Sequence, residues 1–234
     1  MNIFREALDF YKQNSTLNER PTSDRIDQLV ELTDILETHF HFENVISIET
    51  GTSYYWWDGM VGAYFAYLAH LTNGSFTSVD IDPSLNIKAK NTYNNLTTPL
   101  SPEFVTQDSV SFLKNTELVP NLVHLDSWDL NLKDPYPSAL HGWREFEAIE
   151  NKMPIGSILV IDDNYYGGTW VTYTLCEDKD PRKILSSERI DITNPIIGKG
   201  AHIYQETEAG RTNWKIVGKK LGVGNTKIIL KKIK

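Results

Sequence analysis

The chain has 234 residues, 40% of them hydrophobic and 23% charged, which suits one compact domain with a sizeable core. Its formal net charge is −8, and no lysine or arginine block stands apart from the terminal KIILKKIK, so a nucleic-acid partner is not expected. The single cysteine, Cys176, excludes an intramolecular disulfide and multi-cysteine zinc frameworks, and it fits a reducing compartment.

The opening MNIFREALDFYKQN carries acidic residues and no long apolar run. Neither a secretory signal nor a membrane span is expected there or elsewhere, so a cytoplasmic protein with no membrane partner is expected. The glycosylation-like triplets at Asn14, Asn73 and Asn95 therefore carry no weight. Residues 3–13 and 23–40 have the spacing of amphipathic helices, the second with Ile26, Leu29, Val30, Leu36 and Phe40 on one stripe and Thr22 or Ser23 as candidate cap. Short apolar runs then alternate with helical patterns. The runs are VISIE (45–49), FTSVDID (76–82), NLVHLD (121–126) and SILVIDD (157–163). The expected helices cover 58–71, 83–96, 108–115 and 139–153. Strands alternating with helices predict a parallel sheet covered on both faces. Two late runs, AHIYQET and TKIILKKI, read as β and suggest a closing hairpin, with the intervening GRTNWKIVGKKLGVGN of uncertain boundary. With no repeat and no linker, one domain over 1–234 is expected, with residues 1–40 as a helical cover and 44–234 as the core.

Each of the four runs ends in acid: Glu49, Asp80 with Asp82, Asp126, and Asp162 with Asp163. In open α/β sheets, ligands bind beyond the carboxyl ends of the strands, so these acids should converge on one edge. Gly51 can let a ligand approach the main chain, and an acid ending the next strand can accept from ribose hydroxyls. Glu49 and Asp80 are thus candidates to hold a nucleoside. The Walker signature and the G-x-G-x-x-G pattern are both missing, so a phosphate chain is not expected on it.

At these residues the chain resembles the class I S-adenosylmethionine-dependent methyltransferases: VISIETGTS is similar to their first motif, FTSVDIDP to their ribose-binding motif, FVTQDSVSFL to the segment near adenine, and NLVHLDSWD to their fourth strand. The resemblance covers about residues 44–165 and departs at Tyr54, Tyr55 and Trp56, where further glycine is common in the family. It implies a Rossmann-like, doubly wound, mainly parallel α/β sheet with helices on both faces and a C-terminal antiparallel hairpin. It also implies S-adenosylmethionine as cofactor, with Glu49, Gly51, Thr52 and Ser53 on its methionine side, Asp80 and Ile81 at ribose and adenine, and Asp108 and Ser109 beyond the adenine. Tyr54, Tyr55, Trp56 and Trp57 read as hydrophobic cover more readily than as a functional set.

HLDSWD and ILVIDDN narrow the resemblance to the metal-dependent small-molecule O-methyltransferases of the catechol and sugar type. That likeness implies a divalent metal, Mg²⁺ by its hard oxygen ligands, on Asp126, Asp162 and Asp163, with Asp163 and Asn164 as the alternative pair. Such an ion would lower the pKa of an acceptor hydroxyl, and without a cation three grouped acids would repel one another. Asp129 stands where catechol-methylating relatives carry lysine. The candidate proton acceptor is His141, one helical turn from Glu145, with Asp126 as the second catalytic candidate. His39, His41, His70, His124 and His202 read as structural, and Cys176 as a packed or surface thiol. The expected function is metal-assisted O-methylation of a hydroxylated small molecule or sugar, with a homodimer possible. Two alternatives stay open: a noncatalytic nucleoside-binding or scaffold domain, and a metal-dependent hydroxylase or hydrolase built on the same acids.

Overall fold

The structure is a computed structural model and describes residues 2–17, 23–54, 56, 60–176, 184–221 and 225–234. Helices α1 (Ile3–Leu17) and α2 (Ser23–His39) precede the first strand. Then β1 (Ile46–Thr50), α3 (Val61–Leu71), β2 (Ser75–Asp80), α4 (Pro83–Tyr93), β3 (Glu103–Thr106), α5 (Ser109–Asn115), β4 (Leu122–Leu125), α6 (Tyr136–Ile149) and β5 (Ile158–Tyr166) alternate. The chain closes with β6 (Trp170–Cys176), β7 (Ile184–Asp191), β8 (Ile196–Gly198), α7 (Ala201–Glu208), β9 (Trp214–Leu221) and β10 (Thr226–Lys232). Thr22, Tyr55 and Trp57 lie outside the described residues, as do the side chains of Ser23 and Cys176.

The main sheet runs β3-β2-β1-β4-β5-β10-β9, with β8 paired to the end of β5. The pairings from β3 through β5 are parallel, whereas β10 is antiparallel to both β5 and β9. This is the expected Rossmann-like sheet with a C-terminal antiparallel hairpin. Strand alternation divides its side chains into two cores. Leu122, Ile158, Val160 and Ile229 join the core that takes in α1, α2 and α3. Val123, Leu159, Ile161, Ile228 and Leu230 join the core under α6 and α7. Strands β1, β2, β4 and most of β5 are buried on both faces, which explains why they read as nearly unbroken apolar runs.

Two expectations are corrected. AHIYQET forms helix α7, and the strand that pairs with β10 is Trp214–Leu221, inside the stretch of uncertain boundary. In seven residues, Ala201, Ile203 and Thr207, which are the buried positions of α7, fit a period of two about as well as one of 3.6; packing beside α6 decides for the helix. Likewise β5 does not end at Asp163 but continues to Tyr166, because β8 supplies partners for Asn164, Tyr165 and Tyr166. Asp163 has φ of 54° and the register against β10 shifts beside it, which is the geometry of a bulge. A two-stranded antiparallel sheet, β6 with β7, stands apart from the main sheet.

Candidate functional site

The carboxyl ends of β1, β2 and β4 meet at a single turn. Gly51 has φ of 78°, in the left-handed region, and a Cβ there would lie 2.5 Å from the carbonyl oxygen of Asp126. Only glycine fits that approach. The turn is tied on every side: Gly51 N donates to Val79 O at 2.9 Å, and Asp126 N donates to Thr50 O at 2.9 Å. Thr52 N donates to Asp80 Oδ2 at 2.8 Å, while Asp80 Oδ1 accepts from Asp82 N at 2.8 Å. Thr52 Oγ1 donates to Asn86 Oδ1 at 2.9 Å. Glu49 is buried and accepts from Ser53 Oγ and Ser78 Oγ, each at 2.9 Å. Glu49, Gly51, Thr52, Ser53 and Asp80 therefore form one hydrogen-bonded unit.

Beyond it, Ile81 is 73% exposed, an apolar surface set beside a carboxylate. Asp108 caps α5 by accepting from Ser111 N at 2.8 Å, a bond that holds its carboxyl below the usual range. Ser109 opens that helix, and its Oγ lies 3.1 Å from His141 Nε2. Glu145, buried, approaches the same nitrogen at 3.5 Å and accepts from Ser127 Oγ at 2.6 Å. The exposed Trp128, held at φ of 64°, stacks on the His141 ring at 5.1 Å. A non-glycine residue in that region is uncommon and marks a conformation imposed by its surroundings. Trp56, by contrast, is core: it is buried against Tyr11, ring centroids 5.5 Å apart. The Tyr54 ring lies under Lys88 Nζ at 4.9 Å.

The expected metal acids do gather, around cations the sequence reading missed. Lys199 follows β8, its side chain is 3% exposed, and its Nζ lies 2.6 Å from Asp126 Oδ1 and 2.8 Å from Asp163 Oδ2. Asp162 points to the other face, where Lys227 of β10 bonds to it and Arg25 approaches at 3.6 Å. His124 belongs to this second group: it is buried, with Nδ1 3.5 Å from Glu49 and Nε2 3.8 Å from Asp162, and neither nitrogen has a hydrogen-bond partner. Ligand atoms of His124, Asp126 and Asp162 fall within 4.8 Å of one another. Asn164 is consumed by the backbone, donating to Ile161 O and Asp162 O and accepting from Gly200 N.

The donors expected to hold a divalent ion are therefore already bonded to ammonium groups, and a resident ion on Asp126, Asp162 and Asp163 does not fit this arrangement. The repulsion that pointed to a metal is real; lysine side chains answer it. Burial pushes the Asp126 carboxyl up, against the pull of Lys199. Asp162 is held well below the usual range and Asp163 below it: burial opposes this, and it is outweighed at Asp162 by Lys227, His124 and Arg25 together and at Asp163 by Lys199 with Asn225. Lys199 was detectable only as a lysine between glycines after an apolar run, and Lys227 only as the odd charge leading a buried strand. Neither pattern distinguishes a buried cation from a surface one.

No protein-family model matches the chain, and no curated protein matches it. Among solved structures, a Corynebacterium glutamicum protein is 16% identical with a TM-score of 0.57, covering 98% of this chain and 90% of its own. A Streptococcus mutans protein proposed to be a methyltransferase, in complex with SAH, is 14% identical with a TM-score of 0.53, covering 87% and 97%. An rRNA methylase from Streptococcus thermophilus is 12% identical with a TM-score of 0.50, covering 86% and 94%. These likenesses show the fold. Among the described residues no helix is long and apolar enough to cross a membrane.

Proposed function

We propose that the chain is an S-adenosylmethionine-dependent methyltransferase acting on a hydroxylated small molecule. The observation that carries this reading is the Gly51 turn bonded to Asp80 through Thr52 N, with exposed Ile81 and the Asp108 cap beside it. Each Asp80 oxygen uses one lone pair on the backbone and keeps another for a ribose hydroxyl. Ile81 offers a face to adenine, with Asp108 and Ser109 beyond it. Gly51, Thr52 and Ser53 line the methionine end, and Glu49 fixes Ser53. When bound, the cofactor supplies an electrophilic methyl group on a sulfonium.

On the acceptor side, His141 takes the hydroxyl proton at Nδ1, because Nε2 is the nitrogen that faces Ser109 and Glu145. Glu145 orients the ring, and Trp128 covers it. Asp126, fastened by Lys199, holds the floor of the turn. The fold is shared with a protein named as an rRNA methylase, but a net charge of −8, with no lysine or arginine block apart from the terminal KIILKKIK, favours a small acceptor over RNA.

Calorimetry of S-adenosylmethionine binding to the wild type and to Asp80→Ala tests the reading. The expected result is saturable binding by the wild type, weakened at least about tenfold in the variant through loss of charged hydrogen bonds. No binding by the wild type would remove the proposal. Binding without turnover on any hydroxylated acceptor would favour the noncatalytic alternative.

A further inference from the structure

We infer that Lys199 is the resident cation of this site: its ammonium takes the place a divalent ion would fill between Asp126 and Asp163, and it locks the Gly51 turn from beneath. An ammonium has three N–H donors. Those of Lys199 face Asp126 Oδ1 at 2.6 Å, Asp126 O at 2.8 Å and Asp163 Oδ2 at 2.8 Å, so none remains for a ligand. The Asp126 carbonyl that it holds is the one against which Gly51 packs. Lys199 is thus a positioning residue, acting on the cofactor turn through Asp126.

Its backbone leaves it little freedom. Lys199 N donates to Asp163 O at 3.3 Å, and helix α6 presses on its carbonyl at Gly142, where a Cβ would lie 2.3 Å from Lys199 O. An incoming ion would have to expel the ammonium and leave it buried without its partners, a strongly unfavourable state. The surrounding charges point the same way. Four carboxylates, Glu49, Asp126, Asp162 and Asp163, are set against Lys199, Lys227 and Arg25, so most of the negative charge that would attract an ion is already met by the protein's own cations.

The cation role stands on this geometry alone; the positioning of a cofactor turn and methyl transfer without added metal both rest on the function proposed above. The test is Mn²⁺ binding by the full chain at neutral pH, followed by electron paramagnetic resonance of free Mn²⁺, with no S-adenosylmethionine present. The variants are Asp126→Asn, Lys199→Met and the double variant Lys199→Met/Asp126→Asn. The wild type is expected to bind no Mn²⁺ that Asp126→Asn removes. Lys199→Met, which frees both carboxylates, is expected to gain Mn²⁺ affinity at least about tenfold, and the double variant to lose it again. Saturable Mn²⁺ binding by the wild type that depends on Asp126 would overturn the inference, and so would a folded Lys199→Met with no gain. If Lys199→Met does not fold, the comparison of wild type with Asp126→Asn still decides the matter. S-adenosylmethionine titration of Lys199→Arg, which keeps the charge but not the compact ammonium, reads the positioning role: weaker cofactor binding by the folded variant, measured well below its own melting temperature, is expected. Because the Mn²⁺ measurement needs no methyl donor, a failure of the methyltransferase reading and a failure of this inference are separable.

Discussion

At the residue scale, the site depends on side chains and backbone atoms that leave each other no slack. Gly51→Ala would place a methyl group 2.5 Å from the Asp126 carbonyl in a backbone conformation with φ of 78°. The left-handed conformation alone costs about 1–2 kcal/mol for a residue with a Cβ, and the contact adds to it. Gly51→Ala is therefore expected to lower the melting temperature and weaken cofactor binding together; a variant with wild-type values for both would show that the turn has room to move.

His124 makes a prediction with a sign. It faces Glu49, Asp126 and Asp162 as acids, Lys227 as a cation near it, and the Phe65 ring at 5.7 Å. Burial lowers its pKa, but the nearby Asp162 and Glu49 carboxylates, with Asp126 behind them, outweigh burial and raise it from 6.5 to about 9. A raised folded-state value means that the folded chain holds the proton more tightly. The stability this gives is complete below 6.5 and disappears as pH rises through about 9. The melting temperature should fall across that window in the wild type and fall less in His124→Gln. Equal slopes for the two would show that the imidazole does not carry the charge.

At the element scale, the strands show why acids near strand ends were only half readable. Asp80 ends β2, and Asp126 follows β4 directly, as the runs implied. Asp162 and Asp163 lie within β5, beside a bulge at Asp163, and the two consecutive acids meet different lysines. In an unbroken strand the period of two would already separate them, but nothing in the run ILVIDDN reveals that β8 extends the strand past the pair. Strand β10 is the other element whose place only folding assigns. It inserts between β5 and β9, and Ile229 is fully buried there in the core beneath α2 and α3. Ile229→Ala should destabilise the chain by about 2–5 kcal/mol, read by urea denaturation. A change below about 1 kcal/mol would mean that the site collapses to fill the cavity.

At the scale of the whole molecule, the sequence by itself determined the fold class, because alternating apolar runs and amphipathic stretches can bury their surfaces in few ways other than a mainly parallel sheet between two helical layers. It also located the first turn and the carboxylates around it, since glycine and acids at strand ends are local features. It read the acids of the second group correctly as needing positive charge, yet could not name its source. Lys199, Lys227 and Arg25 are 73, 65 and 137 residues from the Asp126 and Asp162 carboxylates they meet. A lysine in a strand has the same local pattern whether its head is in water or buried among carboxylates; only the tertiary structure fixes which, by carrying Lys199 and Lys227 to the acids and withdrawing water from around them. That decision turned an expected metal centre into a cluster of the protein's own charges, because desolvation makes an unpaired charge too costly to leave and packing supplied an ammonium before any ion was required.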